Sequence, residues 1–148
     1  MKISTRVEYG ILALTDIAMY SEYGTSVSAP DIAVRQNISQ KYLEQILTHL
    51  KQAGLIRAQK GLRGGYALSR PADQIRLSDI LNALDNSILE EMNDSGREGD
   101  RSLRGAVNTC LWKKINRSMI QFAESKTLAE FMQECREQVS GDWDMYII

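Results

Sequence analysis

Residues 39–66 read SQKYLEQILTHLKQAGLIRAQKGLRGGY, and how this stretch folds decides how the rest of the chain is read. Ser39 is a good N-cap for a helix that opens with Gln40, Lys41 and Tyr42. Leu43, Ile46, Leu47 and Leu50 then recur at spacings of three and four, which is one face of a helix. Gln40, Lys41, Glu44, Gln45, Thr48 and Lys51 fall mostly on the other face. Gly54 can take the left-handed conformation that stops the helix. Leu55 to Ala58 is predicted as a short strand, Lys60 to Gly65 as a tight turn and Tyr66 to Leu68 as the return strand. A helix with a polar outer face, followed by a basic two-stranded ribbon, has the shape to enter a major groove and touch the neighbouring minor groove.

Working outward, Ser4 or Thr5 is placed to cap a first helix running through Tyr20. Val7, Ile11, Leu14, Ile17 and Ala18 give it a stripe broad enough for a central core helix. Ser28 caps a second helix, with Pro30 in its first turn, where a missing N–H costs nothing. With Ile38 as a hydrophobic staple, this helix and the one after Ser39 form a helix-turn-helix candidate. Downstream, Ile75 and Leu77 look extended, and Ser78 is predicted to cap a short helix with Ile80, Leu81 and Leu84 inward. Residues 86–101, NSILEEMNDSGREGDR, have no clean period and read as a mobile loop. Leu103, Val107, Leu111, Ile115, Met119 and Phe122 then mark a long amphipathic helix whose stripe needs a partner. In a chain this small, the expected partner is the same helix of a second copy. A last short helix is predicted from Thr127 through Gln138, and the apolar end, 143–148, is expected to dock.

The chain has 148 residues and a net charge of −1 that hides an asymmetry. Residues 1–70 carry nine Lys/Arg against five Asp/Glu, and residues 71–148 nine against fourteen. A basic first half suggests that only that half meets a polyanion. No apolar run is long enough for a membrane span and no signal peptide is visible, so a cytoplasmic protein is expected. Two cysteines, Cys110 and Cys135, are too few for a disulfide framework and lack zinc spacing.

The combination of YLEQIL at 42–47, KGLRGGY at 60–66 and MKIST with Tyr9-Gly10 at the start resembles the Rrf-two family of bacterial transcription regulators. The resemblance is dense over residues 1–85 and sparser beyond. It implies a mainly α fold with a small β-wing, that is, a winged helix-turn-helix over 1–85. It further implies a loop at 86–101 and a dimerisation helix and tail at 102–148. The implied partners are a second copy of the chain and a palindromic double-stranded operator. The candidate DNA-binding residues are Thr5, Arg6, Ser39, Gln40, Lys41, Tyr42, Glu44, Gln45, Lys51, Lys60, Arg63 and Gly64. The candidate dimer residues are the six of the stripe. Two departures stand out. Cluster-bearing members of the family have three cysteines between the short helix and the long one, whereas residues 86–109 hold none. Ala106 and Thr109 stand near the ligand positions, and Cys110 lies one residue beyond. Lys60 replaces the usual arginine of the wing, with Arg63 close by.

Each feature also has a plainer reading. Gln40, Lys41, Glu44 and Gln45 alone could be a solvated face; the ribbon behind them favours base edges, where Gln suits adenine and Glu cytosine. The glycines of the turn lack the Lys-Ser/Thr of a phosphate loop. His49 reads as a partly buried structural histidine. Cys110 reads as a small core residue, and Cys135 lies among acids that disfavour a thiolate. No catalytic constellation or metal set is visible, so neither an enzyme nor a cofactor is expected. The expected function is a sequence-specific DNA-binding regulator, repressing by occlusion as a homodimer without an iron–sulfur cluster. The alternative is an interaction module whose second half binds a regulatory protein partner.

Overall fold

Local capping signals set the helix starts. In the computed structural model, which describes residues 2–62, 64–90 and 101–146, Ser4 Oγ accepts from the Val7 N–H at 3.3 Å and opens α1, Thr5–Tyr20. Ser28 Oγ accepts from the Asp31 N–H and opens α2, Ala29–Gln36. Asn37 then takes a left-handed conformation, φ 53°, which asparagine tolerates better than most residues. That single residue turns the chain into Ser39, whose Oγ accepts from the Tyr42 N–H and opens α3, Gln40–Gln52. Gly54, at φ 77°, ends the turn after α3 as expected.

β1, Ile56–Gln59, pairs antiparallel with β2, Gly65–Leu68, from Ile56 opposite Leu68 to Gln59 opposite Gly65. Val27 joins as a single bridge, exchanging backbone hydrogen bonds of 2.8 and 2.7 Å with Tyr66. Gly65 is required there, because a Cβ on it would stand 2.5 Å from the Val27 carbonyl oxygen. The root of the wing is thereby fastened to the segment just before α2.

α4, Leu77–Leu84, differs from expectation at its start. Ser78 does not cap it but turns into the core; Asp79 Oδ2 accepts from the Arg76 N–H at 2.9 Å, so the helix opens before Ser78. The long periodic run, read from the sequence as Leu103 to Ala123, is continuously helical from Leu103 to Ser125. It consists of α5, Leu103–Val107, one wide π turn over Asn108–Trp112, and α6, Lys113–Ser125. The last helix, α7, is longer than predicted and spans Leu128–Tyr146. Gly141 within it costs about 1 kcal/mol relative to alanine, too little to end a helix that is otherwise supported. Of loop 86–101, residues 91–100 lie outside the described residues, as do Arg63 and the last two residues; side chains of the tail beyond Val139 are likewise not described.

The core is a single cluster. Val7, Leu14 and Ile17 of α1 meet Ile32, Ile38, Leu43, Ile46, Leu47 and Leu50 of the helix-turn-helix, Ile80 and Leu84 of α4, and Leu128 and Met132 of α7. Each leucine-sized side chain so buried contributes about 1.5–3 kcal/mol relative to exposure. The link between α6 and α7 lies antiparallel to the link before α4: the Leu77 N–H donates to the Lys126 carbonyl at 3.0 Å and the Leu128 N–H to the Ile75 carbonyl at 2.7 Å. Arg136 pairs with Glu22 at 2.6 Å farther along α7.

One buried charge was not singled out in the sequence. Asp16 is 2% exposed on α1. It accepts from Arg35 Nε at 2.9 Å, Arg35 Nη2 at 2.8 Å and Gln36 Nε2 at 2.8 Å, all on α2. The Arg35 guanidinium also lies over the Tyr20 ring, 4.0 Å from its centroid. This cluster fixes the first helix of the helix-turn-helix against α1. The architecture is mainly α with a two-stranded wing, a winged helix-turn-helix. Among the described residues, no helix is long and apolar enough to cross a membrane.

Candidate nucleic-acid interface

α3 buries Leu43, Ile46, Leu47 and Leu50 against α1, α2, α4 and β1. Its opposite face is left to solvent, and Gln40, Lys41, Glu44, Gln45, Thr48 and Lys51 are all exposed there. Gln40 Nε2 reaches Glu44 Oε1 at 3.4 Å, a long bond that a base edge can displace. Ser39 is exposed while its hydroxyl caps the helix. Tyr42 is half-buried, its ring edge-on to Tyr9 with centroids 6.0 Å apart. The tyrosine pair therefore anchors the head of α3 to α1 while Tyr42 stays partly accessible.

The N-terminus of α1 lies beside this face. A cleft of about 380 Å³ is lined by Ser4, Thr5 and Arg6 from α1, by Tyr42, Gln45, Ile46 and His49 from α3, and by Asp85. Thr5, Arg6, Tyr42 and Gln45 are thus brought together around one cleft. His49 is exposed and not partly buried, contrary to expectation. It stands four residues after Gln45, one turn along the same helix face, and this spacing is the signal that could have found it. The Asp85 carboxyl is held below the usual carboxylate range by hydrogen bonds from the Ser87 hydroxyl and backbone N–H, with Arg6 adding a smaller pull.

On the wing, Lys60 is exposed at the foot of the turn. The Gly64 N–H donates to the Gly61 carbonyl at 3.0 Å and closes it. Gly61 has φ 130°, a conformation side chains rarely adopt. A Cβ on Gly64 would stand 2.8 Å from the Gln59 carbonyl oxygen, so Gly64 shapes the turn from within. Arg63 lies outside the described residues.

The pattern of residues that defines the Rrf2 family, described as an iron-dependent transcriptional regulator, matches residues 3–134. The chain belongs to the Rrf2 family. It is 39% identical over 137 residues to the HTH-type transcriptional regulator slr0846 of Synechocystis, covering 92% of this chain and 90% of that one. It is 33% identical to the HTH-type transcriptional regulator IscR of Cereibacter sphaeroides, covering 90% and 88%. Among solved structures, CymR, the global cysteine regulator of B. subtilis, superposes with a TM-score of 0.78 at 29% identity, covering 90% of this chain and 98% of that one. T. potens IscR does so at 0.74 and 32%, covering 93% and 90%. Like its Rrf2 relatives, the protein is a DNA-binding transcription regulator and not an enzyme.

The iron in the Rrf2 description sets a test of the donors. The sequence holds two cysteines and one histidine. Cys110 is exposed on the wide turn before α6, and not in the core of the single chain as expected. Cys135 is half-buried on α7, where burial, and then the neighbouring Glu134, push its thiol up and disfavour the thiolate. Among the described residues, no three His, Cys, Asp or Glu side chains are grouped as a metal site. The residues do not fit a cluster held by three cysteines.

Leu103, Val107, Leu111, Ile115 and Phe122 are exposed on the single chain and Met119 is half-buried. Trp112 extends the same apolar surface, and it continues into a groove of about 300 Å³ walled by Ile11, Leu81, Ile88, Met119, Phe122 and Phe131, among others.

Proposed function

We propose that this regulator acts as a cytoplasmic homodimer on a palindromic operator, represses by occlusion and carries no iron–sulfur cluster. Residues 1–85 hold the reader, residues 102–148 double it, and 86–101 link the two. The observation that carries this reading is the division of α3 into a wholly buried apolar face and an exposed face of Gln40, Lys41, Glu44 and Gln45. Gln, Lys and Glu are side chains that pair with base edges in the major groove. Thr5, Arg6, Ser39, Tyr42 and Lys51 surround that face as phosphate contacts, with His49 added to them. Lys60, Arg63 and Gly64 supply the wing. The exposed stripe on α5 and α6 supports self-association, since soluble monomers rarely leave so continuous an apolar surface in water. A regulatory protein could occupy the same stripe; a stable complex with a cellular protein, without preference among duplexes, would favour that reading.

Base reading and backbone holding should separate on mutation. Glu44→Ala or Gln45→Ala should cost about 1–3 kcal/mol on the preferred duplex and relax discrimination at one or two positions. Lys60→Ala should weaken all duplexes alike and lower the salt slope by about 1. Matched titrations on operator and scrambled duplex at several salt concentrations check both. An unchanged operator-to-scrambled ratio in both α3 variants would remove α3 as the reader.

Protein purified without oxygen should be colourless, because the thiolates that would hold a cluster are missing from residues 86–109. Stoichiometric iron with sulfide in such a preparation would overturn the cluster-free assignment.

A further inference from the structure

At the tip of the wing the turn closed by Gly61 and Gly64 carries Leu62, which is fully exposed at 108% of its reference surface. It is the most exposed of the large apolar side chains among the described residues. A lone exposed leucine usually means little. This one differs in its place. Turn tips are the province of Gly, Asn, Asp, Pro and Ser, each for a conformational reason that leucine does not share. The other large apolar groups left exposed, such as Leu103, Leu111, Ile115 and Phe122, mostly gather on the α5–α6 stripe, whereas Leu62 stands at the wing tip. It is flanked in sequence by Lys60 and Arg63, the cations that would bring the tip to a phosphate backbone. Where a local rule is broken without a packing gain, a functional constraint is the usual cause.

We propose that Leu62 is an apolar minor-groove contact which presses on one base step and selects it for deformability. The inference rests on the DNA-binding reading of the wing. Lys60 supplies attraction that is blind to sequence. Leu62 adds what a cation cannot, a wedge whose insertion partly unstacks the step beneath it, as apolar side chains do in other minor-groove contacts. Pyrimidine–purine steps, TA and CA/TG, open most readily, so the wing would prefer them although Leu62 makes no hydrogen bond to any base.

The test begins with duplexes selected by the wild-type protein from a random-sequence library. Each base step in the segments flanking the α3 half-sites is then changed in turn from pyrimidine–purine to purine–purine. The wild type should show one step per half-site where the change weakens binding about tenfold. A 2-aminopurine placed at that step should brighten on binding, as an unstacked base does. Leu62→Ser should abolish both the step preference and the brightening while leaving the salt slope unchanged, and Leu62→Met should restore both. Leu62→Ser protein that keeps the step preference, or that loses affinity equally on every duplex, would overturn the role given to Leu62. Failure of the wild type to select any duplex would instead overturn the DNA-binding reading beneath it.

Discussion

Leu111→Asp combined with Ile115→Asp should yield a folded monomer that binds the selected duplex about 10²–10⁴-fold more weakly than the wild type. Both side chains are exposed on the single chain, at 44% and 46%, so neither is needed for the core and the fold should survive. Placed at a dimer interface, two carboxylates per chain would be buried without partners, which costs far more than the apolar contacts they replace. The loss on DNA follows from geometry. A dimer that has docked one α3 holds the second near its half-site, and the effective concentration that this supplies disappears when the chains separate. Sedimentation equilibrium reads the first effect, titration the second, and far-ultraviolet circular dichroism checks the fold. A soluble double variant that still sediments as a dimer would place the interface elsewhere.

Asp16→Ala should destabilise the fold by about 3–5 kcal/mol, because it strands Arg35 and Gln36 without the acceptor they share. Equilibrium unfolding in urea measures it, and a loss below about 1 kcal/mol would mean that the pair relaxes to solvent at little cost. The Arg35 guanidinium is held above its ordinary pKa, first by the hydrogen bond to Asp16 and against the smaller opposing effect of burial. A raised pKa on a cation means that its contribution is complete below the unfolded value and declines only as pH rises through the folded one. On the arginine side the lock should therefore hold through neutral pH and fail only in strong alkali. Asp16→Asn should be milder than alanine, since the amide keeps one acceptor for the guanidinium.

The legible parts of this chain are those whose signals are local. Ser4, Ser28 and Ser39 each cap the helix they were expected to cap, and Gly54 is left-handed where a helix had to stop. The buried face of α3 follows from the spacing of four aliphatic residues. What could not be read depends on contacts far apart in the chain. Asp16 is one polar residue in an apolar run, and the arginine that justifies its burial lies 19 residues away. Ser78 looked like a cap because serine before a periodic run usually is one; Asp79, holding the Arg76 N–H, took that role. His49 was misplaced because its neighbour Leu50 is buried, although one step along a helix turns a side chain by about 100°. The wide turn at 108–112 left no trace in the pattern, which runs through it unbroken.

Leu128 and Met132 also bear on the order in which the protein is made. A ribosome releases α1, the helix-turn-helix and the wing first, yet the core beneath α1 lacks two of its walls until α7 has emerged. α3 therefore gains its full support only after α7 has been made. A message cut short after the wing would yield a chain without that support and without the stripe; on the proposed reading it would neither hold DNA firmly nor draw a full-length copy into a crippled pair.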